Sequence, residues 1–294
     1  MELRVLKYFL AVAKEENITK ASELLHITQP TLSKQLMDLE EEIGKKLFIR
    51  GNRKITLTQE GLLLQKRAEE IISLVSKTKK ELEQDDDTIS GDIYIGAGET
   101  DGFRYLVKIA NKIKTEHPNI HYHISSGDII DVLYDLDKGM IDFALVFGDV
   151  DKSKYECITL PPTDIWGVLM RKDSALANKE CITPEDLYNK PLIFSRQAHK
   201  KQEIAALFGK NYNNLNIVAT HNLIYNASLM VDEGFGYAIT FDKIINTENT
   251  NLKFIPFKPA VKADMHFIWK KQQIFSKASE KFLNTLLAEN NSLI

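Results

Sequence analysis

Apolar residues in the first sixty positions recur at helical spacing in three short blocks set off by turn formers. Leu6, Phe9, Leu10 and Ala13 share one face of a helix over residues 3–15. Thr19 is the expected cap of a shorter second helix with Ala21, Leu24 and Leu25 inward, and His26-Ile27 make a tight turn. Thr28 caps the third helix, Gln29 and Pro30 suit its first turn, and Leu32, Leu36, Leu39 and Ile43 form one stripe. Gly44 stops that helix, and Leu47-Phe48 cover the core. Arg50-Gly51-Asn52-Arg53 then form a hairpin tip, with residues 54–57 as the returning strand. This three-helix unit with a hairpin wing occupies residues 1–58.

From Gln59 to Glu83 the spacing of Leu64, Ala68, Ile71, Val75, Thr78 and Leu82 alternates between four and three. That is a narrow seam suited to pairing with a second helix. The acidic run Glu83-Gln84-Asp85-Asp86-Asp87 ends it, since carboxylates oppose the dipole at a helix C-terminus. Residues 84–90 read as a hinge, so 59–90 form a linker helix plus hinge.

Beyond residue 91 the pattern alternates short apolar strands with amphipathic helices. Strands at 92–96, 120–125 and 141–147 are separated by helices at 105–115 and 129–138. This βαβαβ order predicts a parallel sheet. A second set begins near Ile165, with strands at 166–170, 191–194, 217–219 and 237–240 and helices starting at Lys200 and Leu223. A strand at 265–269 leads back toward the first set, and residues 276–287 form the last helix. The fold class is α+β multidomain.

Composition narrows the setting. The 294 residues suit about two domains, and 44% hydrophobic with 27% charged residues is ordinary for a globular chain. No apolar run approaches the ~20 residues of a membrane span, and Glu2, Arg4 and Lys7 break any signal-peptide pattern. With only Cys157 and Cys181, 24 positions apart, idle thiols in a reducing compartment are expected. A cytoplasmic protein without membrane contact follows as the expectation.

The chemistry concentrates at the start of the third helix. Gln29, Thr31, Ser33 and Lys34 lie opposite its apolar stripe. Gln bonds an adenine edge bidentately, Ser and Thr suit several bases, and Lys reaches guanine or phosphate. Arg53, with Arg50 and Lys54, places charge at a hairpin that fits a minor groove or phosphates. The net charge of -3 does not oppose this, because binding follows where charge sits rather than its total. A plain three-helix bundle with a solvated polar face is the alternative reading.

These same residues carry a resemblance. Ala21-Ser22, Leu24, Thr28-Gln29-Pro30, Ser33, Leu39-Glu40, Gly44, Leu47-Phe48, Arg50, Arg53, Leu57-Thr58 and Gly61 follow the order found in LysR-type transcriptional regulators. The likeness runs over the whole chain and is strongest in the first sixty or so residues. Ser22 departs from the alanine common there. The resemblance implies that Gln29, Pro30, Ser33, Lys34 and Arg53 lie at DNA. It implies a winged helix-turn-helix, a long linker helix, and a two-lobed α/β effector domain over 91–294 that resembles periplasmic binding proteins. The lobes would be about 91–162 with 267–294, and about 163–266.

Ligands of open α/β sheets bind beyond the carboxyl ends of strands. The corresponding positions are Gly98-Glu99-Thr100-Asp101, Gly127-Asp128, Phe147-Gly148, Ser195-Arg196 and His221-Asn222. The resemblance places Thr100, Asp128, Ser195 and Asn222 at an effector; helix capping explains each of them equally well. Glu99, Asp101 and Asp128 would repel a second carboxylate unless Arg104 or Arg196 compensates, which leaves room for a ligand with an amine or a neutral face. His121-x-His123 offers two metal ligands without a third nearby, and no nucleotide or hydrolase fingerprint occurs. Neither a cofactor nor a metal is expected.

The function expected from all this is ligand-modulated, sequence-specific binding to double-stranded DNA at an interrupted inverted repeat. The expected partners are a small-molecule effector, a second copy in a homodimer or homotetramer, and RNA polymerase at the promoter. The rival is an α/β binding protein or enzyme that uses its N-terminal helices only to oligomerise.

Overall fold

The computed structural model describes residues 1–51, 54–82, 88–196 and 202–292; the side chains of Arg50, Gln202 and Glu203 are outside the description. The chain divides into two compact units, Met1–Glu83 and Gln84–Ile294.

The first unit packs α1 (Leu3–Glu15), α2 (Ile18–Leu24) and α3 (Gln29–Ile43) beside a two-stranded hairpin, β1 (Phe48–Arg50) and β2 (Ile55–Leu57), followed by α4 (Gln59–Leu82). Leu6, Phe9, Leu32, Leu36, Leu39 and Leu47 are fully buried in its core. Each such side chain contributes about 1.5–3 kcal/mol relative to exposure. Val5 and Val12 join them from α1, giving that helix a wider apolar face than its sequence stripe suggested. The cap of α2 is Asn17, not Thr19: Asn17 sits in extended backbone and its side chain accepts from Lys20 N. Leu24, expected inward, is 59% exposed, while Ser22 is buried and donates to the Thr19 carbonyl at 2.7 Å.

Helix α3 follows its signals at both ends. The Thr28 side chain accepts from Thr31 N, Pro30 lies in the first turn, and Gly44 closes the helix in the left-handed region at φ 71°. Ile43 is exposed, because the stripe ends at Leu39 and the next inward position is Glu40.

The seam of α4 does not stay free along its length. Ala68 is buried in the first unit's own core, with Leu64 and Ile71 packed against it. Val75 and Leu82 remain exposed, so only the later half of the seam is left for a partner. The acidic run at 83–87, expected to end the helix and overlapping the expected hinge at 84–90, lies outside the described residues.

The second unit is built on a nine-stranded sheet in the order β4-β3-β5-β11-β6-β9-β7-β8, with β10 also on β6. One end holds β3 (Gly91–Ala97) parallel to both β4 (Ile120–Ser126) and β5 (Phe143–Phe147), with α5 (Phe103–Glu116), α6 (Ile129–Asp137) and α10 (Lys277–Asn291) on its faces. The other end holds β7 (Leu192–Ser195) parallel to β8 (Ile217–His221) and β9 (Tyr237–Phe241), together with α7 (Pro184–Leu187), α8 (Gln202–Phe208), α9 (Ile224–Asp232) and β10 (Leu252–Pro256).

Two long antiparallel strands run through both ends: β6 (Tyr155–Arg171) and β11 (Lys262–Lys270). They are the two crossings between lobes. Their ladder is interrupted between Asp264 and His266, opposite the stretch containing Pro161-Pro162. Proline removes ladder donors, so a bulge falls where the strand passes from one lobe to the other.

Candidate functional site

The first candidate surface is the N-terminal face of α3. Gln29, Pro30, Thr31 and Lys34 are exposed and Ser33 is half-buried, while Leu32 and Leu36 anchor the opposite face. Thr31 is partly committed to the helix end, since its hydroxyl and that of Thr28 are 2.8 Å apart. Lys34 has no ion-pair partner among the described residues, so its ammonium is available to an anion.

The hairpin beside it is positioned by a carboxylate near the C-terminal end of α3. Glu40 is only 6% exposed. Its Oε1 accepts from Leu47 N at 2.8 Å and Phe48 N at 3.2 Å, and its Oε2 from Lys46 Nζ at 2.8 Å. Burial would raise the Glu40 carboxyl, but these donors outweigh it and hold the group below its ordinary value. One carboxylate on α3 thus fixes the start of β1. Nothing in the run Glu40-Glu41-Glu42 marks the first as different except its place on the Leu32–Leu36–Leu39 stripe.

The hairpin turns where expected, with Arg50 opposite Ile55 and Gly51 N bonded to the Lys54 carbonyl. Arg53 lies outside the described residues, and Arg50 is described in its backbone only. Lys54, expected at DNA, points to the protein itself: its Nζ is 2.6 Å from Glu16 Oε2. The Glu16 carbonyl also receives Ile55 N, so this ion pair fastens the wing to the end of α1.

The second candidate site is a cleft between the lobes of the second unit. Its walls include Gly98 and Phe147 from the first lobe and Trp166, Ser195, Asn222 and Phe241 from the second. Of the effector residues expected from sequence, Phe147, Ser195 and Asn222 meet here. Thr100 and Asp101 instead line an adjoining open groove with Arg104 and Lys243.

Thr100 is engaged with its own lobe crossing. Its hydroxyl donates to Asp164 Oδ2 at 2.6 Å and accepts from Gly102 N at 2.8 Å. Asp164, only 7% exposed, is pushed up to about 6, first by burial and then by Asp101 and Asp242, against the Thr100 hydrogen bond. Asp101 binds Arg104 at 2.6 Å.

Asp128 is not an open ligand group either. It is 1% exposed, and its Oδ1 caps α6 by accepting from Ile130 N and Asp131 N. Its Oδ2 takes Arg196 Nη2 at 2.6 Å from the other lobe. A second link crosses the cleft, where Glu99 Oε2 accepts from Ile224 N, at the start of α9, at 2.6 Å. Sequence reading missed Trp166, Thr240, Phe241 and Ile244 as cleft residues. Thr240 and Phe241 are consecutive in β9 and Ile244 follows its end, so strand alternation does not group them; the pairing of β6 with β9 brings Trp166 opposite Phe241.

Among the described residues, no group of three or more His, Cys, Asp and Glu is arranged to hold a metal ion. His123, one of the pair on β4, is instead 2.9 Å from Asp92 and stacked on Tyr94. No helix among the described residues is long and apolar enough to cross a membrane.

Comparison with known proteins places both halves. Residues 3–62 match the model of the bacterial regulatory helix-turn-helix protein, lysR family, and residues 86–291 match the LysR substrate binding domain. The HTH-type transcriptional activator IlvY of Salmonella typhimurium is 31% identical over 145 residues, 49% of this chain and 49% of that protein. The matched stretch therefore spans about half the length of that relative. A probable RuBisCO transcriptional regulator of Synechocystis is 27% identical over 297 residues, 98% of this chain and 85% of that one. The crystal structure of full-length CbnR complexed with its target DNA shares the fold, with a TM-score of 0.75 at 18% identity, covering 98% of this chain and 99% of that one. The two matched models together take in about nine-tenths of the residues, and the chain belongs to the LysR family.

Proposed function

We propose that the protein is a sequence-specific DNA-binding transcriptional regulator whose promoter binding is modulated by a small molecule held between the lobes. The observation that carries this reading is the two-sided character of α3. Its apolar face is consumed by the core, while Gln29, Thr31 and Lys34 stand exposed at the helix N-terminus. A helix end rich in short hydrogen-bonding groups fits base edges in a major groove.

The exposed later half of α4, with Leu74, Val75 and Leu82, suits a second copy. Two copies would present two recognition helices to two half-sites, hence an interrupted inverted repeat. The tetramer common in the family, contact with RNA polymerase and a cytoplasmic location belong to the same proposal. So does the division into residues 1–58, 59–90 and 91–294. A ligand preferring one lobe closure would shift the spacing of the DNA-binding units by population shift.

Selection of bound fragments from a random duplex pool tests this. Recovery of two inverted half-sites supports the proposal, and recovery of unrelated sequences in proportion to the input pool defeats it.

A further inference from the structure

We infer that the cleft takes a small amine, its ammonium held by Glu99 and its far end offering a hydrogen-bond acceptor to the buried indole N–H of Trp166. This names a ligand class for the effector site and rests on the regulator reading given above.

Charge inside the cleft is the first ground. Among its described lining residues Glu99 is the one charged side chain. The place an organic anion would take, the N-terminus of α9, is already filled by the Glu99 carboxylate at 2.6 Å from Ile224 N. The two neighbouring arginines are committed, Arg196 to Asp128 at 2.6 Å and Arg104 to Asp101 at 2.6 Å, and Lys243 lines the adjoining groove rather than this cleft. Burial lowers the His221 imidazole from its ordinary value, so it adds no positive charge at neutral pH. An anion entering here meets a carboxylate and no formally charged cation on the described cleft wall; an ammonium meets its counter-ion.

The aromatic wall is the second ground. Trp166 and Phe241 have ring centroids 4.0 Å apart, and Phe147 and Phe241 4.8 Å apart, forming one continuous surface across the two lobes. Ring faces attract cations and cover an apolar ligand body. The third ground is independent of charge. Trp166 is 3% exposed, yet its Nε1 has no hydrogen-bond partner. Buried donors are rarely left unpaired, so a ligand acceptor here satisfies a group the protein leaves open.

The test uses the full-length protein and three probes that carry their end group on the same two-carbon chain: tyramine, 2-(4-hydroxyphenyl)ethanol and 3-(4-hydroxyphenyl)propionate. All carry the same hydroxyl and differ in charge at the other end. Titration calorimetry is expected to show tyramine binding about tenfold more tightly than the alcohol, with the propionate weakest, the difference between a charge-assisted and a neutral hydrogen bond. Glu99→Gln keeps an oxygen for Ile224 N but removes the charge. It is expected to erase the tyramine advantage and leave the alcohol unchanged. Equal tyramine binding by Glu99→Gln, or tighter binding of the propionate than of tyramine by the wild type, overturns the amine assignment. So does binding of none of the three. In each case duplex binding by the same preparation, measured alongside, reports separately on the regulator reading.

Discussion

Removing the Glu40 carboxylate should loosen the wing without unfolding the second unit. Its Oε1 receives two backbone amides, Leu47 N in the interior and Phe48 N partly buried, and its Oε2 receives Lys46 Nζ. The Lys46 side chain is largely exposed, so that ion pair contributes less than about 1 kcal/mol. The two amides dominate. Glu40→Ala removes charge-assisted bonds and leaves at least one buried N–H unpaired, a combined cost of about 3 kcal/mol. Glu40→Gln retains an acceptor and should cost about 1 kcal/mol.

Both tryptophans, Trp166 and Trp269, lie in the second unit, so their fluorescence is blind to this change. Hydrogen exchange followed by mass spectrometry on the peptide containing Leu47 and Phe48 reports it directly. A loss of about 3 kcal/mol makes exchange through local opening about a hundredfold faster in Glu40→Ala. The carboxyl is held below its ordinary value, so its contribution is present at neutral pH and lost as pH falls through that lowered value. Exchange unchanged in Glu40→Ala, or a Gln variant as damaged as the Ala variant, would refute the reasoning.

Asp164 gives a pH dependence of opposite sign. Its folded value of about 6 stands above the ordinary 3.8, so ionisation opposes folding. Its contribution is most favourable below 3.8 and is lost as pH rises through 6, a swing of about 3 kcal/mol. Asp164→Asn should flatten the urea midpoint of the second unit between pH 4 and pH 7, followed by tryptophan fluorescence; an unchanged slope counts against it. Gly61 lies where an added Cβ would sit 2.2 Å from the Leu47 carbonyl oxygen, with no flexible side chain to yield. Gly61→Ala should therefore cost about 2 kcal/mol or more of the first unit's stability, read from helical circular dichroism in urea. A neutral outcome would mean that α4 and the wing are not held as closely as described.

Local rules carried the sequence reading furthest where one residue controls one feature. Thr28, Pro30 and Gly44 bound α3, and Asp128 caps α6, because caps act within three residues of themselves. The reading failed where two nearby residues could serve. Asn17 and Thr19 are both good caps, and tertiary packing of Ala21 and Ser22 decides for Asn17. The long strand β6 was legible only from Ile165 onward, because Pro161-Pro162 and alternating polar residues hide its first half. Strand β10 escaped altogether: its five residues include Lys253 and Pro256, and pairing with β6 rather than pattern holds it extended.

The ligand cleft was legible by position and not by role. Phe147, Ser195 and Asn222 all line the cleft, since the ends of parallel strands gather at one edge. Which carboxylate is consumed and which is open depends on contacts more than sixty residues apart in sequence. Arg196 on Asp128 and Ile224 N on Glu99 are such contacts, and no spacing rule reaches them.

The most direct measurement is a salt titration of affinity for the selected duplex, comparing full-length wild type with Gln29→Ala and Lys34→Ala. With α3 in the major groove, Lys34→Ala should weaken binding to all duplexes and reduce the slope of log affinity against log salt by about 1. Gln29→Ala should cost about 1–3 kcal/mol on the selected site alone. Affinity and salt slope identical to wild type in both variants would contradict the account.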